Sequence, residues 1–449
     1  MWTWIIYLWD SMKSNFGVLP ALMLLLGIIA GFLFPGMEMS SSSEFKEWLP
    51  YTLSSESDAR LMQAMIGILS AVSGVVFSVS MLVIAQASSQ FGPRIVRIFT
   101  NRQITQWTLG AFLGSTLYCL LVLWQIPMES STRSLMPGTV LLGLISGLVS
   151  LLLLIRYIYA VAELMQVQTI IRDVSSDLDH SIERLFPESD SEPKRNSREW
   201  DAEKLDGGEP VYVNSQGYVQ AITYHDLAHF AAQKNFCLRL STKPGEFVTN
   251  HDPVIWVMHK SELTDESRNE MAGMILTGKQ RTPRQDVECA LRELVEIALR
   301  ALSPGVNDPY TAMSCIDYLG ATLARMCQRE SQQTLFFDDE DQVRLYAPRD
   351  DFSDAFRTAF HQIRIFAANN PAVVITILKA MKRVAVMTTS ESQREAIRSE
   401  AEILNSIITE TWGYAKDREP ALEWYELLME ALKSPENGND PEAAELPSE

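Results

Sequence analysis

The sequence predicts an α-helical membrane protein: four transmembrane helices followed by a cytoplasmic α+β domain, itself a small β-rich module plus a helical bundle. Three observations predict it. First, four apolar runs fall within the first 160 of 449 residues, each close to the roughly 20 residues needed to cross a bilayer's hydrocarbon core. Second, charge is uneven: residues 1–160 carry 8 basic and 7 acidic side chains, whereas the remainder carries 30 basic and 49 acidic ones. Third, beyond residue 210 the hydrophobic pattern changes to period-two alternation and then to helical periods.

The elements follow in order. Trp2, Trp4, Tyr7 and Trp9 ahead of Lys13 suggest a short N-terminal interfacial helix, giving a 1–160 transmembrane domain. The apolar runs cover about Phe16–Phe34, Met62–Ala87, Trp107–Ile126 and Thr139–Ala160. Arg94, Arg97 and Arg102 lie between runs two and three, with Arg156 and Arg172 at and beyond the end of run four. The positive-inside rule then sets both termini in the cytoplasm. A connecting helix from Val161 to Leu185 and a polar linker complete 161–210. Residues 211–260 read as the β-rich module: VYVNSQGYVQAITY alternates like a strand pair, and FCLRLSTKPGEFVTNHDPVIWVM holds two or three short strands with turns at Pro244-Gly245 and Asp252-Pro253. From about Glu262 to 433 the periods are helical. Residues 285–302 place Val287, Leu291, Leu294, Ala298 and Leu302 on one side, and Asp308 with Pro309 opens a further helix to about Cys327. More helices follow at about 352–368, 371–387, 389–413 and 420–433. The acidic tail 434–449 reads as disordered.

Chemistry-bearing positions are few. No ionisable residue lies in the core of an apolar run, which argues against a proton relay or voltage sensor. Small residues recur four apart as Gly27/Gly31, Gly110/Gly114 and Gly143/Gly147, and in run two as Gly67/Ala71, Ser70/Gly74 and Gly74/Ser78. That spacing lets helix backbones approach, within a chain or between copies. Ser70, Ser73, Ser78 and Ser80 either line a hydrated path or simply bond to helix carbonyls. After Gln90, the break Gly92-Pro93 leads to Arg94 and Arg97, which anchor to lipid phosphate or attract anions at the inner mouth. In the C-terminal half, Arg281 and Asp286 precede one helix and SPGVNDP, with Asn307 and Asp308, joins it to the next. These residues are caps and turns, or an ion or ligand site. His225 and His229 share a helix face without a third ligand, so no metal is assigned. No phosphate-binding Gly-rich loop, G-x-S-x-G or H-E-x-x-H motif is present, and neither a cofactor nor an enzymatic activity is nominated. The five scattered cysteines read as free thiols, and the acidic C-terminal half argues against nucleic acid.

GVVFSVSMLVIAQASSQFGPRIVRIF, GYVQAI, RTPRQDVECALRELVEIALRALSPGVNDPYTA and CIDYLG, in that order, resemble a bacterial family of predicted membrane proteins called domain of unknown function 2254. The resemblance covers about Phe16 to residue 430. It implies a bacterial plasma-membrane location and supports four spans plus a cytoplasmic domain, but carries no activity. Gln90, Gly92, Pro93, Arg94, Arg281, Asp286, Ser303, Pro304, Asn307, Asp308 and Pro309 match its motifs. Two functions compete: a homo-oligomeric channel or transport-like protein, and a membrane-anchored sensor or scaffold binding a small ligand or partner.

Overall fold

The computed structural model describes residues 17–40, 54–91, 103–126, 137–164, 166–188, 207–258 and 263–433. The chain divides into two compact units, Met1–Thr169 and Ile170–Glu449.

The first unit contains α1 (Val18–Ser40), α2 (Ser55–Phe91), α3 (Gln103–Gln125) and α4 (Pro137–Leu164). All four are long and apolar enough to cross a membrane, and they coincide with most of each of the four runs read from the sequence. At 1.5 Å per residue α2 is about 55 Å long, longer than a hydrocarbon core, and its polar first turns hold Glu56, Asp58 and Arg60. The central helix is α3: half of its apolar stretch is buried, and it packs against α1, α2 and α4. Trp107 and Trp124 are exposed near its two ends, about 25 Å apart along the axis, the separation of the two interfacial belts where tryptophan concentrates. Glycine lets α1 lie close to α3. A Cβ on Gly27 would overlap the Gly114 carbonyl oxygen, and one on Gly114 would sit 2.7 Å from the Met23 carbonyl oxygen.

Several polar side chains of this unit find hydrogen-bond partners inside it. The Ser80 hydroxyl donates to the Val76 carbonyl at 2.8 Å and lies 2.7 Å from the Tyr157 hydroxyl. Ser115 and Ser150 are 3.2 Å apart, and Tyr118 donates to the Thr139 carbonyl at 2.8 Å. Where water is scarce, such internal partners remove a cost of a few kcal/mol per orphaned group.

The second unit starts with most of α5 (Val167–Leu185). The sequence suggests one helix continuing from Val161; instead α4 ends at Leu164 and α5 begins anew at Val167. Ile170, Ile171, Val174, Leu178 and Ile182 form a buried stripe, so α5 is part of a core and not a bare connector. Asp179 accepts from Thr322 at 2.8 Å and pairs with Arg325.

Two sheets follow. Strands β1 (Glu209–Tyr212), β3 (Cys237–Leu240), β5 (Pro253–Met258), β7 (Leu335–Phe337) and β8 (Val343–Tyr346) form a sheet ordered β1-β5-β3-β8-β7. Strands β2 (Gly217–Ile222), β4 (Phe247–Val248) and β6 (Ile275–Gly278) form a second, ordered β4-β2-β6. The segment that reads as a strand pair is thus divided: β1 pairs with β5, and β2 with β4 and β6. Three strands, β6, β7 and β8, lie in the stretch whose periods read as helical. Helix α6 (Tyr224–Lys234) lies against β8, β3 and β7, and Leu227, Leu238, Ile255, Phe336 and Leu345 share one core.

The remaining helices are α7 (Asp265–Gly273), α8 (Val287–Ala301), α9 (Pro309–Cys327), α10 (Phe352–Ala367), α11 (Pro371–Val386), α12 (Glu391–Thr411) and α13 (Ala415–Ala431). Their starts are written in short polar side chains. Asp286, Asp308, Asp351, Asn370 and Ser390 each accept a backbone N–H at the beginning of α8, α9, α10, α11 and α12, contributing about 1 kcal/mol apiece.

Candidate functional site

The structure separates the two motifs of the C-terminal unit. Asp286 caps the start of α8, whereas Asn307 and Asp308 follow its end. Fifteen helical residues intervene, about 22 Å at 1.5 Å each.

At the far end the chemistry is that of a turn. Asn307 adopts the left-handed conformation, φ 50°. Its N–H donates to the Ser303 carbonyl at 2.9 Å, and the Asp308 N–H donates to the Ala301 carbonyl at 2.7 Å. Both Asp308 oxygens are taken by Thr311, from its N–H at 3.2 Å and its hydroxyl at 2.6 Å. Ser303 donates to the Arg300 carbonyl, and Pro309 occupies the first helical turn. Pro304 is exposed, as are Val306 and Tyr310, at 58% and 77%.

At the near end lies a dense ionic junction. The segment RTPRQD is stitched to β2 by Gln285, whose side-chain amide accepts from the Ile222 N–H at 2.9 Å and donates to the Ile222 carbonyl at 3.1 Å. Arg281 donates Nε to Asp286 at 2.7 Å and one terminal nitrogen to Asp286 at 2.8 Å and to Glu288 at 2.9 Å. Asp286 is almost wholly buried and also accepts from the Cys289 N–H at 2.9 Å. Glu288 accepts from Thr358 of α10 at 3.0 Å and pairs with Arg292 at 3.2 Å. The turn after β3 rests on this group. Gly245 has φ +94°, and a Cβ there would strike both the Asp286 carboxylate and Arg281. Beside it Lys243 reaches Asp350 at 2.5 Å and Asp354 at 3.6 Å.

Burial alone would raise the Glu288 carboxyl, but the Arg281 hydrogen bond, the Arg292 charge and Thr358 together hold it below the usual carboxylate range. Burial pushes Asp350 up, and the Glu288 and Asp286 charges oppose the lowering effect of Lys243. The carboxylates and cations of the junction are thus committed to one another. Chemically the arrangement is a brace that locks three loops and two helices, with a bidentate Arg–carboxylate pair at its centre.

The run-two serines do not share a direction. Ser80 is buried and Ser73 half-buried, its hydroxyl donating to the Leu69 carbonyl at 2.8 Å, whereas Ser70 and Ser78 are exposed. Gln90 falls in the last turn of α2; Gly92, Pro93, Arg94 and Arg97 lie outside the described residues, as do the N-terminal aromatic segment, the linker 189–206 and the tail. His225 and His229 are both exposed, with His225 edge-on to Phe336 at 5.4 Å. Among the described residues no three His, Cys, Asp or Glu side chains gather as a metal ligand set. The five cysteines are free, and burial pushes the Cys327 thiol up to about 12.

Lys243, Gly245, Glu288, Asp350 and Thr358 are not visible in the sequence as partners of Arg281 and Asp286. Apart from Glu288 they lie tens of residues away along the chain. The only local hints are the Pro-Gly turn at 244–245 and the Arg-Asp-Asp run at 349–351.

Three mycobacterial relatives are similar to this chain. An uncharacterized protein of Mycobacterium tuberculosis strain CDC 1551 is 27% identical over 332 residues, which is 73% of this chain and 63% of the relative. Uncharacterized proteins of Mycobacterium bovis and of Mycobacterium tuberculosis strain H37Rv are each 26% identical over the same spans. The chain therefore matches less than two thirds of the length of these relatives. No solved structure matches it. The model of the family of predicted membrane proteins called domain of unknown function 2254 matches residues 13–383, and the chain belongs to that family.

Proposed function

We propose that this is a homo-oligomeric channel or transport-like protein of the bacterial plasma membrane, with both termini and a regulatory domain in the cytoplasm. The observation that supports this reading is how the small residues of the apolar helices are used. Gly27, Gly110 and Gly114 bring α1 against α3, and Gly143 and Gly147 receive Met62 and Met65 of α2. By contrast Gly67 and Gly74 have nothing near them, and Ser70, Ala71 and Ser78 are exposed on the same helix. Small side chains bury cheaply against another helix in lipid, and hydroxyls can face a wet path between copies. Ser80, Ser115 and Ser150 inside one bundle already have hydrogen-bond partners there, so a path between copies is preferred over one through a single chain.

The test is ion flux through the purified full-length chain in liposomes. Leucine at Ser70 or Ser78 should block flux, while Ser73→Ala, on the inner side of α2, should leave it intact. A wild-type protein that passes no ion at any voltage sinks the proposal. A sensor or scaffold then becomes the reading to pursue, supported by the exposed Val306 and Tyr310 at the α8–α9 turn, within the family-matching SPGVNDPY segment. No enzymatic role is proposed.

A further inference from the structure

Arginines withdrawn from water in the C-terminal unit are generally matched by a carboxylate. Arg281 meets Asp286 and Glu288, Arg344 meets Asp338 at 2.5 Å, and Arg364 meets Glu400. Arg349 departs from this pattern. It follows β8, is half-buried, and lies with its guanidinium carbon 3.4 Å from the centre of the Tyr224 ring. Among the described residues no carboxylate lies within 4.0 Å of it, although the charge of the adjacent Asp350 acts on it from farther away. Its neighbour Asp350 is engaged by Lys243 at 2.5 Å.

Apart from their close approach to each other, Arg349 and Tyr224 each bury a polar atom that makes no well-formed hydrogen bond. Arg349 Nε is sealed from solvent without a hydrogen bond, and so is the hydroxyl of Tyr224, a residue only 6% exposed. Beneath, Phe336 stacks parallel to Tyr224 at 5.7 Å, and His225 meets Phe336 edge-on. Desolvation lowers the Arg349 guanidinium from its ordinary value against the opposing effects of Tyr224 and Asp350, and pushes the Tyr224 hydroxyl up to about 12 against the lowering effect of Arg349. A desolvated cation whose neighbouring carboxylate, Asp350, is already engaged by Lys243 is costly to keep. The fold nevertheless holds this one over the face of an aromatic ring, and a guanidinium supported on a ring can offer its fork to a planar or tetrahedral oxyanion.

We propose that Arg349, stacked on Tyr224, anchors a site for an oxyanion group such as phosphate, and that the ligand supplies the close ion-pair partner that Arg349 lacks. This holds whether or not the apolar helices conduct. The group could arrive on a free anion or on a lipid headgroup, and the experiment separates the two.

Hydrogen–deuterium exchange is measured on the full-length chain in nanodiscs of lipid with no net charge, with and without inorganic phosphate at constant ionic strength. A parallel sample replaces the phosphate by phosphatidic acid in the disc. Binding should slow exchange in the segments 222–226 and 346–351. The slowing should be about tenfold when free phosphate is about ten times its Kd. Slowing by free phosphate identifies a soluble anion, and slowing by phosphatidic acid alone identifies a headgroup; either supports the site. Arg349→Met should abolish the effect and Arg349→Lys should retain part of it. The wild-type measurement decides the matter even if Arg349→Met does not fold. No change in these segments under either condition overturns the proposal. So does protection confined to another place, such as 237–240 around Arg239, or equal protection in Arg349→Met.

Discussion

Replacing Asp286 by alanine removes two things at once, and the structure sets their sizes. The first is the cap of α8: the carboxylate accepts the Cys289 N–H at 2.9 Å, worth about 1 kcal/mol. The second is the bidentate partner of Arg281, in a pair whose side chains are 13% and 1% exposed. Removing one member of a buried pair costs about 3–5 kcal/mol when the other is left alone. Arg281 is not left alone, because Glu288 still accepts from it at 2.9 Å, so the lower part of that range applies. The combined loss is about 4 kcal/mol, or about three decades in a local opening constant at about 1.36 kcal/mol per decade. Hydrogen exchange of the full-length chain reads this where it occurs, since local openings are reported segment by segment. Amides at the start of α8 and in the 241–246 turn should lose protection by that factor, while those of α11 should hardly change. Asp286→Asn keeps a capping oxygen but not the charge, and should fall between wild type and Asp286→Ala. A loss below about 1 kcal/mol in Asp286→Ala would mean that the cap alone matters. The brace would then have been misread.

Three further outcomes are expected. Leucine at Gly27 should destabilise the first unit by more than the ~1–3 kcal/mol of ordinary overpacking, because the Gly114 backbone cannot move aside. Leucine at Gly74 should leave the single chain's thermal stability unchanged, and a comparison of melting curves in detergent checks both. Gly245→Ala should weaken the ionic junction, since φ +94° adds about 1–2 kcal/mol of backbone strain to the collision with Asp286 and Arg281; exchange in 281–292 should rise. Glu288 has a depressed folded pKa, so its contribution is present above the unfolded value near about 4.3 and is lost as pH falls through the lower folded value. Thermal stability of the wild type should therefore drop across that acid window more steeply than that of Glu288→Gln. Parallel curves for the two proteins would contradict the assignment.

Much of this architecture is legible from residues alone, for identifiable reasons. Length and apolarity by themselves mark α1 to α4, because a helix in hydrocarbon must satisfy its own backbone and needs about 20 apolar residues to do so. The starts of α8 and α9 are readable because capping is local: Asp286 and Asp308 act on N–H groups three residues away. Partnerships across the sheets are not. Alternation in VYVNSQGYVQAITY marks strands but says nothing about which edge each will meet, and β1 and β2 join different sheets. Strands β6, β7 and β8 are three or four residues long, too short for a period to rise above the surrounding helical pattern.

For the candidate sites the division is similar. Arg281, Asp286, Asn307 and Asp308 stand out by local chemistry, but they do not form one cluster, because helix α8 holds the two motifs at its opposite ends. Arg349 is marked locally only by the Arg-Asp-Asp run; its stacking on Tyr224 and the capture of Asp350 by Lys243 depend on contacts with α6 and the turn after β3. Sequence by itself determined which segments are apolar, where helices begin and which family the motifs resemble, since those properties are carried by residues a few positions apart. Tertiary structure alone decided which charges are paired, which glycines are used for close approach and which serines stay uncovered. Those outcomes depend on distances between segments as far as 143 residues apart, which no local pattern encodes.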